Sequence, residues 1–272
     1  MQKRNGKNGK KPPPEEEAPP TADIMPTDLA DEMAGLPSGA EGVSARDMMI
    51  PRLVVLQALS PQLQPNKPEY IPDAKVGQFC DVGTGEVFQQ LVVLPCCFRH
   101  VFIEWFPRAS GKGMAKHHGT DASVVKGVPR DEKNRWQLPN GNYVVETAEF
   151  YVLNMTANAR RSMIPLSSTQ WRAARKWLTN IMSERMKKSD GTEVPVPLWY
   201  RTWVAGTKQA SNVEGNWFLW DFTPSLPIYK VDTVGRDLMR NAVEFTTQAA
   251  KGLLALAPPE EEEIIVDENA PM

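Results

Sequence analysis

The chain has 272 residues, with 31 Lys+Arg against 33 Asp+Glu, a formal net charge of −2, and three cysteines. The length fits one domain of about 200 residues, or at most two small ones. No apolar run approaches the ~20 residues of a membrane helix, and residues 1–11 lack the apolar core of a signal peptide, so a soluble, unsecreted protein is expected. Cys80, Cys96 and Cys97 are odd in number, with two adjacent, which excludes a disulfide framework and fits a reducing cytoplasm.

The near-zero charge is a sum of unlike parts. Residues 1–11 carry five basic side chains and no acidic one, whereas residues 12–49 carry nine acidic and one basic. Residues 258–272 carry six acidic and no basic side chains, which leaves residues 50–257 with a balance of +7. The eight Trp, five Tyr and nine Phe all lie between Tyr70 and Phe245. Residues 1–49, with seven prolines and no aromatic residue, have too little apolar surface to offset ordering and are expected to be a disordered acidic arm. A short helix is expected within the arm, from the N-cap Thr27 to a stop at Gly35.

From residue 50 the pattern becomes strand-like. Residues 53–56 and 91–94 are short Val/Leu runs. Thr84-Gly85 predicts a turn between strands at 79–82 and 87–94. A further strand follows at 97–106, with Pro95 marking a bulge or edge. Residues 107–142 form a long charged loop of the kind that is usually functional or disordered, and Asn140-Gly141 marks a turn before the next strand. Strands are predicted at 143–155, 162–166, 197–205 and 216–223. Ser167 and Gln170 have capping-box spacing before a helix whose stripe is Trp171, Ala174, Leu178, Ile181 and Met182. A second helix is predicted at 235–256, with Leu238, Ala242, Phe245, Ala249 and Leu253 in register. The acidic tail follows at 258–272. The fold class read from this order is mainly β (α+β). It is expected to be an OB-type antiparallel β-barrel over 50–257 with two helices and a long inserted loop, and an α+β sandwich is the competing architecture.

Enzyme signatures are absent. Gly111-Lys112-Gly113 lacks the hydroxyl and the upstream glycine of a phosphate-binding loop. The three histidines suggest no triad. Glu146 and Glu149, three apart, fall on opposite faces of one strand and read as solvated strand charges. Cys80, Cys96, Cys97, His117 and His118 lack zinc spacing, and His117-His118 reads as part of a polar loop. No metal or cofactor is expected.

Binding to a single strand requires aromatic faces for bases and cations for phosphates. Alternation places Trp199, Arg201 and Trp203 on one strand face, and Arg99 beside Trp105 on another, with Arg108 following. The loop adds Lys112, Lys116, Lys126, Arg130, Lys133, Arg135 and Trp136. Arg172, Arg175 and Lys176 line the outer side of the first helix. Phe218, Trp220 and Phe222 read as core. Core packing of the tryptophans and simple solvation of the basic helix face are the plain alternatives. The tail, with Glu260, Glu261, Glu262, Glu263, Asp267 and Glu268 around Ile264-Ile265-Val266, suits competition for a cationic groove and recruitment of partners, with a solubilising end as its alternative.

A basic OB-like core, aromatic-rich strands and an acidic C-terminal tail together resemble the single-stranded DNA-binding proteins of tailed-bacteriophage replication, loosely over residues 50–272. The stretch Ile50-Pro51-Arg52-Leu53-Val54-Val55-Leu56-Gln57-Ala58-Leu59-Ser60-Pro61 is similar to the openings of phage-encoded proteins. In that family the tail often ends in an aromatic residue, whereas this chain ends Asn269-Ala270-Pro271-Met272. The resemblance implies a non-enzymatic binder of single-stranded DNA in replication or recombination, located in the host cytoplasm. It also implies that the tail regulates access and contacts replication or recombination proteins. A homo-oligomer is compatible with this reading. A phage structural or assembly protein, or a metal-dependent nuclease, are the alternatives.

Overall fold

The structure, a computed structural model, describes residues 49–131, 135–212, 215–231, 235–252 and 254–256. The N-terminal arm with its expected helix, and the acidic tail, lie outside the described residues. In chain order the strands are β1 (Met49–Ile50), β2 (Leu53–Val55), β3 (Phe79–Asp81), β4 (Val87–Phe88), β5 (Leu91–Trp105), β6 (Met114–His117), β7 (Trp136–Gln137), β8 (Tyr143–Asn154) and β9 (Arg160–Ser167). Helix α1 (Trp171–Ser183) comes next, followed by β10 (Arg185–Lys187), β11 (Glu193–Pro195), β12 (Arg201–Asn212), β13 (Gly215–Pro227), helix α2 (Gly235–Ala250) and β14 (Ala255–Leu256).

The β5–β8 ribbon is the spine. It runs antiparallel from Val93↔Asn154 to Trp105↔Tyr143. Pro95 cannot donate a ladder hydrogen bond, and the register slips between Pro95 and Cys97, so the proline lies at a bulge as expected. At one end of the spine β12 pairs with β5, β13 pairs with β12, and β9 pairs with β8. At the other end β6 pairs with β5 and β7 with β8. A small β2–β3–β4 sheet packs nearby, and its β3–β4 hairpin turns at Thr84-Gly85. The expected strand at 87–94 is broken there: β4 ends at Phe88, and Leu91 begins the spine.

These strands do not close into a barrel, so the OB-type expectation is corrected to an open, mainly antiparallel sheet with two helices. The open edge of β13 shows why closure is unnecessary. The side-chain amide of Gln57 accepts from the Phe218 N–H and donates to the Phe218 carbonyl, both at 2.9 Å. Gln170 donates to that carbonyl at 2.9 Å and accepts from the Trp220 N–H at 3.1 Å. Two glutamines thus occupy ladder positions that a neighbouring strand would fill, which also blocks edge-to-edge pairing.

Alternation along the spine divides the core in two. Phe150 and Val152 join Trp177, Trp203, Trp220 and Phe222 on the face covered by α1. There Trp177 stacks between Phe222 at 3.7 Å and Phe150 at 4.3 Å. Cys96, Tyr151 and Leu153 pack with Leu238, Ala242, Phe245 and Ala249 of α2 on the opposite face. At the distal end of that opposite face, Val101, Ile103, Trp105, Tyr143 and Val145 form a satellite core.

Several local expectations change. The Ser167–Gln170 capping box does not form: residues Ser168–Gln170 make a 3-10 turn without a side-chain cap, because the Gln170 amide is engaged at β13. Met182 is exposed, and Trp177, outside the expected stripe, is the aromatic side chain that α1 buries. Helix α2 ends at Ala250, earlier than residue 256, and Leu253 lies outside the described residues. Residues Leu198–Tyr200 form a 3-10 turn, so β12 begins only at Arg201. No helix among the described residues is long and apolar enough to cross a membrane.

Candidate nucleic-acid interface

The distal half of the spine, on the side facing away from the satellite core, carries a row of aromatic rings. His100 and Phe102 alternate on β5 and stack with centroids 5.1 Å apart and planes 26° apart. Strand β7 pairs with β8 at Val144 and so brings Trp136 to within 6.3 Å of Phe102. The first residue of α1, Trp171, lies 4.9 Å from His100 at the other end. Arg130 lies over the Trp136 ring at 3.9 Å, and Arg175 lies 5.7 Å from the Trp171 centroid. Phe102 is buried as the floor, while Trp136, His100 and Trp171 are half-buried and both arginines exposed. Lys116 is exposed on the same side, since directly paired residues such as Lys116 and Glu104 point the same way. Glu146, paired with Phe102 across the strands, approaches His100 to 3.8 Å, and Glu104 is a second acidic group on this side. Half-exposed rings with guanidiniums at both ends have the chemistry for stacking bases and neutralising phosphates.

The structure distributes the residues that alternation had grouped together. Trp203 is 2% exposed and lies in the core beside Trp177, so it offers no face to a base. Trp105 is likewise buried, in the satellite core. Trp199 is half-buried against the α2 core, and the turn at Leu198–Tyr200 removes the face it was expected to share with Arg201 and Trp203. Arg201 pairs with Glu184 at 2.7 Å and donates to the Ser225 carbonyl, a structural role. Arg135 pairs with Asp131 at 2.7 Å and lies over Tyr143. Arg99 is half-buried on the α2 side, opposite Glu149. Lys176 is exposed but lies 3.6 Å from Asp221. Lys112, near the Phe106 ring, and Arg172 are exposed. Trp136, Arg130 and Arg175 are the expected residues that meet in the row, with Lys116 on the same side. The side chain of Arg108, together with Lys133 and the tail carboxylates Glu260, Glu261, Glu262, Glu263, Asp267 and Glu268, lies outside the described residues.

Glu149, expected as a solvated strand charge, is buried, and so is Glu104, whereas Glu146 stays partly exposed. Glu149, 1% exposed, accepts from the Tyr151 hydroxyl at 3.1 Å and meets His117 Nε2 at 2.9 Å. The Gly119 N–H donates to His117 Nδ1 at 3.1 Å, so the neutral ring carries its proton on Nε2 and donates it to Glu149. His118, next in sequence, points to the opposite side and contacts Glu104 at 2.8 Å, and Glu104 also accepts from Asn142 at 2.6 Å and Asn140 at 3.2 Å. The histidine pair is therefore no free polar loop: each ring ties β6 to the spine. Burial pushes the Glu104 carboxyl up, but its hydrogen bonds from Asn142, His118 and Asn140 outweigh this and lower its pKa. Burial, reinforced by neighbouring Glu149, raises the Tyr151 phenol, and burial also raises the Cys96 and Cys97 thiols. Such thiols stay protonated near neutrality and make poor nucleophiles. Among the described residues no group of three or more His, Cys, Asp or Glu is gathered to hold a metal ion.

Among known protein families, the one described as "Pam3 phage gp34-like protein" matches residues 15–252. The chain belongs to that family. It is accordingly a bacteriophage protein. No curated protein and no solved structure matches it.

In this gp34-like chain the two faces of the distal part of β5 differ in composition rather than in burial. Val101, Ile103 and Trp105 form the more apolar alternation, whereas His100, Phe102 and Glu104 are a mixed set, of which His100 is half-buried and Phe102 and Glu104 are covered. Trp105, expected as a stacking platform, is buried in the satellite core on the other face from the row. Trp171 is concealed differently, because it belongs to the apolar stripe of α1 yet lies at the helix start, where the core ends.

Proposed function

We propose that this phage protein is a non-enzymatic binder of single-stranded DNA that acts in replication or recombination, with little sequence preference. The observation that carries the reading is the row Trp136–Phe102–His100–Trp171 with Arg130 and Arg175 at its ends. Bases stack on the half-exposed rings while the arginines, Lys116 and Arg172 meet phosphates. The acidic tail competes for this surface when DNA is absent and is released to contact replication or recombination proteins when DNA binds. Gel shifts with single-stranded and duplex DNA across a salt series test the reading. Strand preference with a steep salt slope is expected, and no retardation of single strands at low salt, even after the tail is removed, refutes it.

A phage assembly component held by protein contacts is the second reading. Met239 and Val243, one turn apart on α2 and 41% and 44% exposed, favour it by offering an apolar patch to a partner.

A further inference from the structure

From Trp171 onward the chain is strongly cationic. Arg172, Arg175 and Lys176 are exposed on α1, and Arg185, Lys187 and Lys188 follow on the β10 strand and its turn, also exposed. β10 and β11 pair only with each other, through Arg185↔Pro195, Met186↔Val194 and Lys187↔Glu193, and form a two-stranded arm outside the main sheet. The acidic groups nearby are partly committed. Glu184 is bound to Arg201, Asp221 lies against Lys176, and Asp190 accepts from the Thr192 N–H inside the arm's turn. Glu193 faces Lys187 across the arm, and among the described residues neither Lys187 nor Lys188 forms an ion pair. Arg185 anchors the arm by donating to the Met182 and Glu184 carbonyls at the end of α1. Arg201, the first residue of β12, ties Glu184 to the same place. The arm is therefore held at a fixed point at the end of the helix that begins at the aromatic row.

We infer that α1 and the β10–β11 arm form a phosphate track that continues the aromatic row. A single strand stacked at Trp171 runs along α1 and is held at its far end by Lys187 and Lys188. This rests on the single-strand reading of the row and extends it, because the arm has no half-exposed aromatic ring and contributes charge alone. The 13-residue helix spans about 20 Å, on the order of six phosphates at the ~3.4 Å spacing of one stacked strand. Contact with the arm accordingly requires a longer oligonucleotide than contact with the row.

The test is a fluorescence titration of the full chain with oligo(dT) of about 5 and about 20 nucleotides over a salt series, comparing wild type with Lys187→Gln/Lys188→Gln. Both lysines are exposed on a peripheral arm. The longer strand is expected to bind wild type more tightly and with a steeper salt slope. The double variant should lower that slope by about 1.4, at roughly 0.7 per phosphate contact, and leave the 5-mer unchanged. An unchanged slope and affinity for the 20-mer overturns the track while leaving the row intact. An equal loss for both lengths also overturns it, since the arm would then not be a separate extension. Absence of binding by wild type at either length removes the single-strand reading itself, and the track with it.

Discussion

Each histidine of the chain meets a glutamate: His100 with Glu146 at 3.8 Å, His117 with Glu149 at 2.9 Å and His118 with Glu104 at 2.8 Å. The first pair lies in the exposed row, and the other two fasten β6 to the two faces of the spine. Removing the Glu149 carboxylate leaves the Tyr151 hydroxyl and the His117 Nε2–H without their acceptor in a nearly dry site. Glu149→Ala should therefore cost roughly 1–3 kcal/mol in urea unfolding, while Glu149→Gln, which keeps an acceptor oxygen, should cost less. The Glu104 site makes a prediction in pH. Its folded pKa lies below the ordinary 4.5, so the stabilisation from ionised Glu104 is complete above that value and is lost as pH falls through the lower folded value. Stability measured between neutral pH and pH 3 should fall less steeply in Glu104→Gln than in wild type. Parallel profiles would show that the carboxylate does not titrate with folding.

At the scale of elements, α1 and the open edge of β13 hold the wide end of the sheet together. Trp177 lies between Phe150 and Phe222, and Trp177→Ala should destabilise by about 3–5 kcal/mol. Gln57→Ala/Gln170→Ala should cost about 1–3 kcal/mol by leaving the Phe218 and Trp220 backbone groups unpaired. It should also raise the protein's tendency to self-associate, readable by light scattering, because a bare edge is a template for another strand. Strand positions were largely legible in the sequence. The Val/Leu runs, Thr84-Gly85 and the bulge at Pro95 all mark features that form, and four positions of the α2 stripe are buried as read. Barrel closure was not legible, since nothing in a strand's own pattern reveals that two distant glutamine side chains finish its edge. Trp203 and Trp105, expected as stacking platforms, are buried, because alternation groups residues by face without saying which face is dry. The 3-10 turn at Leu198–Tyr200 then removed the alternation on which the Trp199–Trp203 grouping depended.

Across the whole molecule, the net charge of −2 divides into a cationic folded region and acidic ends, and the structure gives the cationic region an aromatic row on one side. A tethered polyanion is present at high effective concentration near such a surface. Deleting residues 258–272 should therefore tighten single-strand binding at low salt, with the difference shrinking as salt rises. Equal affinities at low salt would assign the tail to solubility. The central claim concerns the row, and the most direct measurement is an equilibrium titration of Trp136→Ala/His100→Ala with a 5′-labelled single strand. Circular dichroism of the same sample would establish a native fold. Loss of two stacking platforms at about 1–3 kcal/mol per base should weaken binding by at least tenfold. A folded double variant that binds as tightly as wild type would contradict the assignment of this face to nucleic acid.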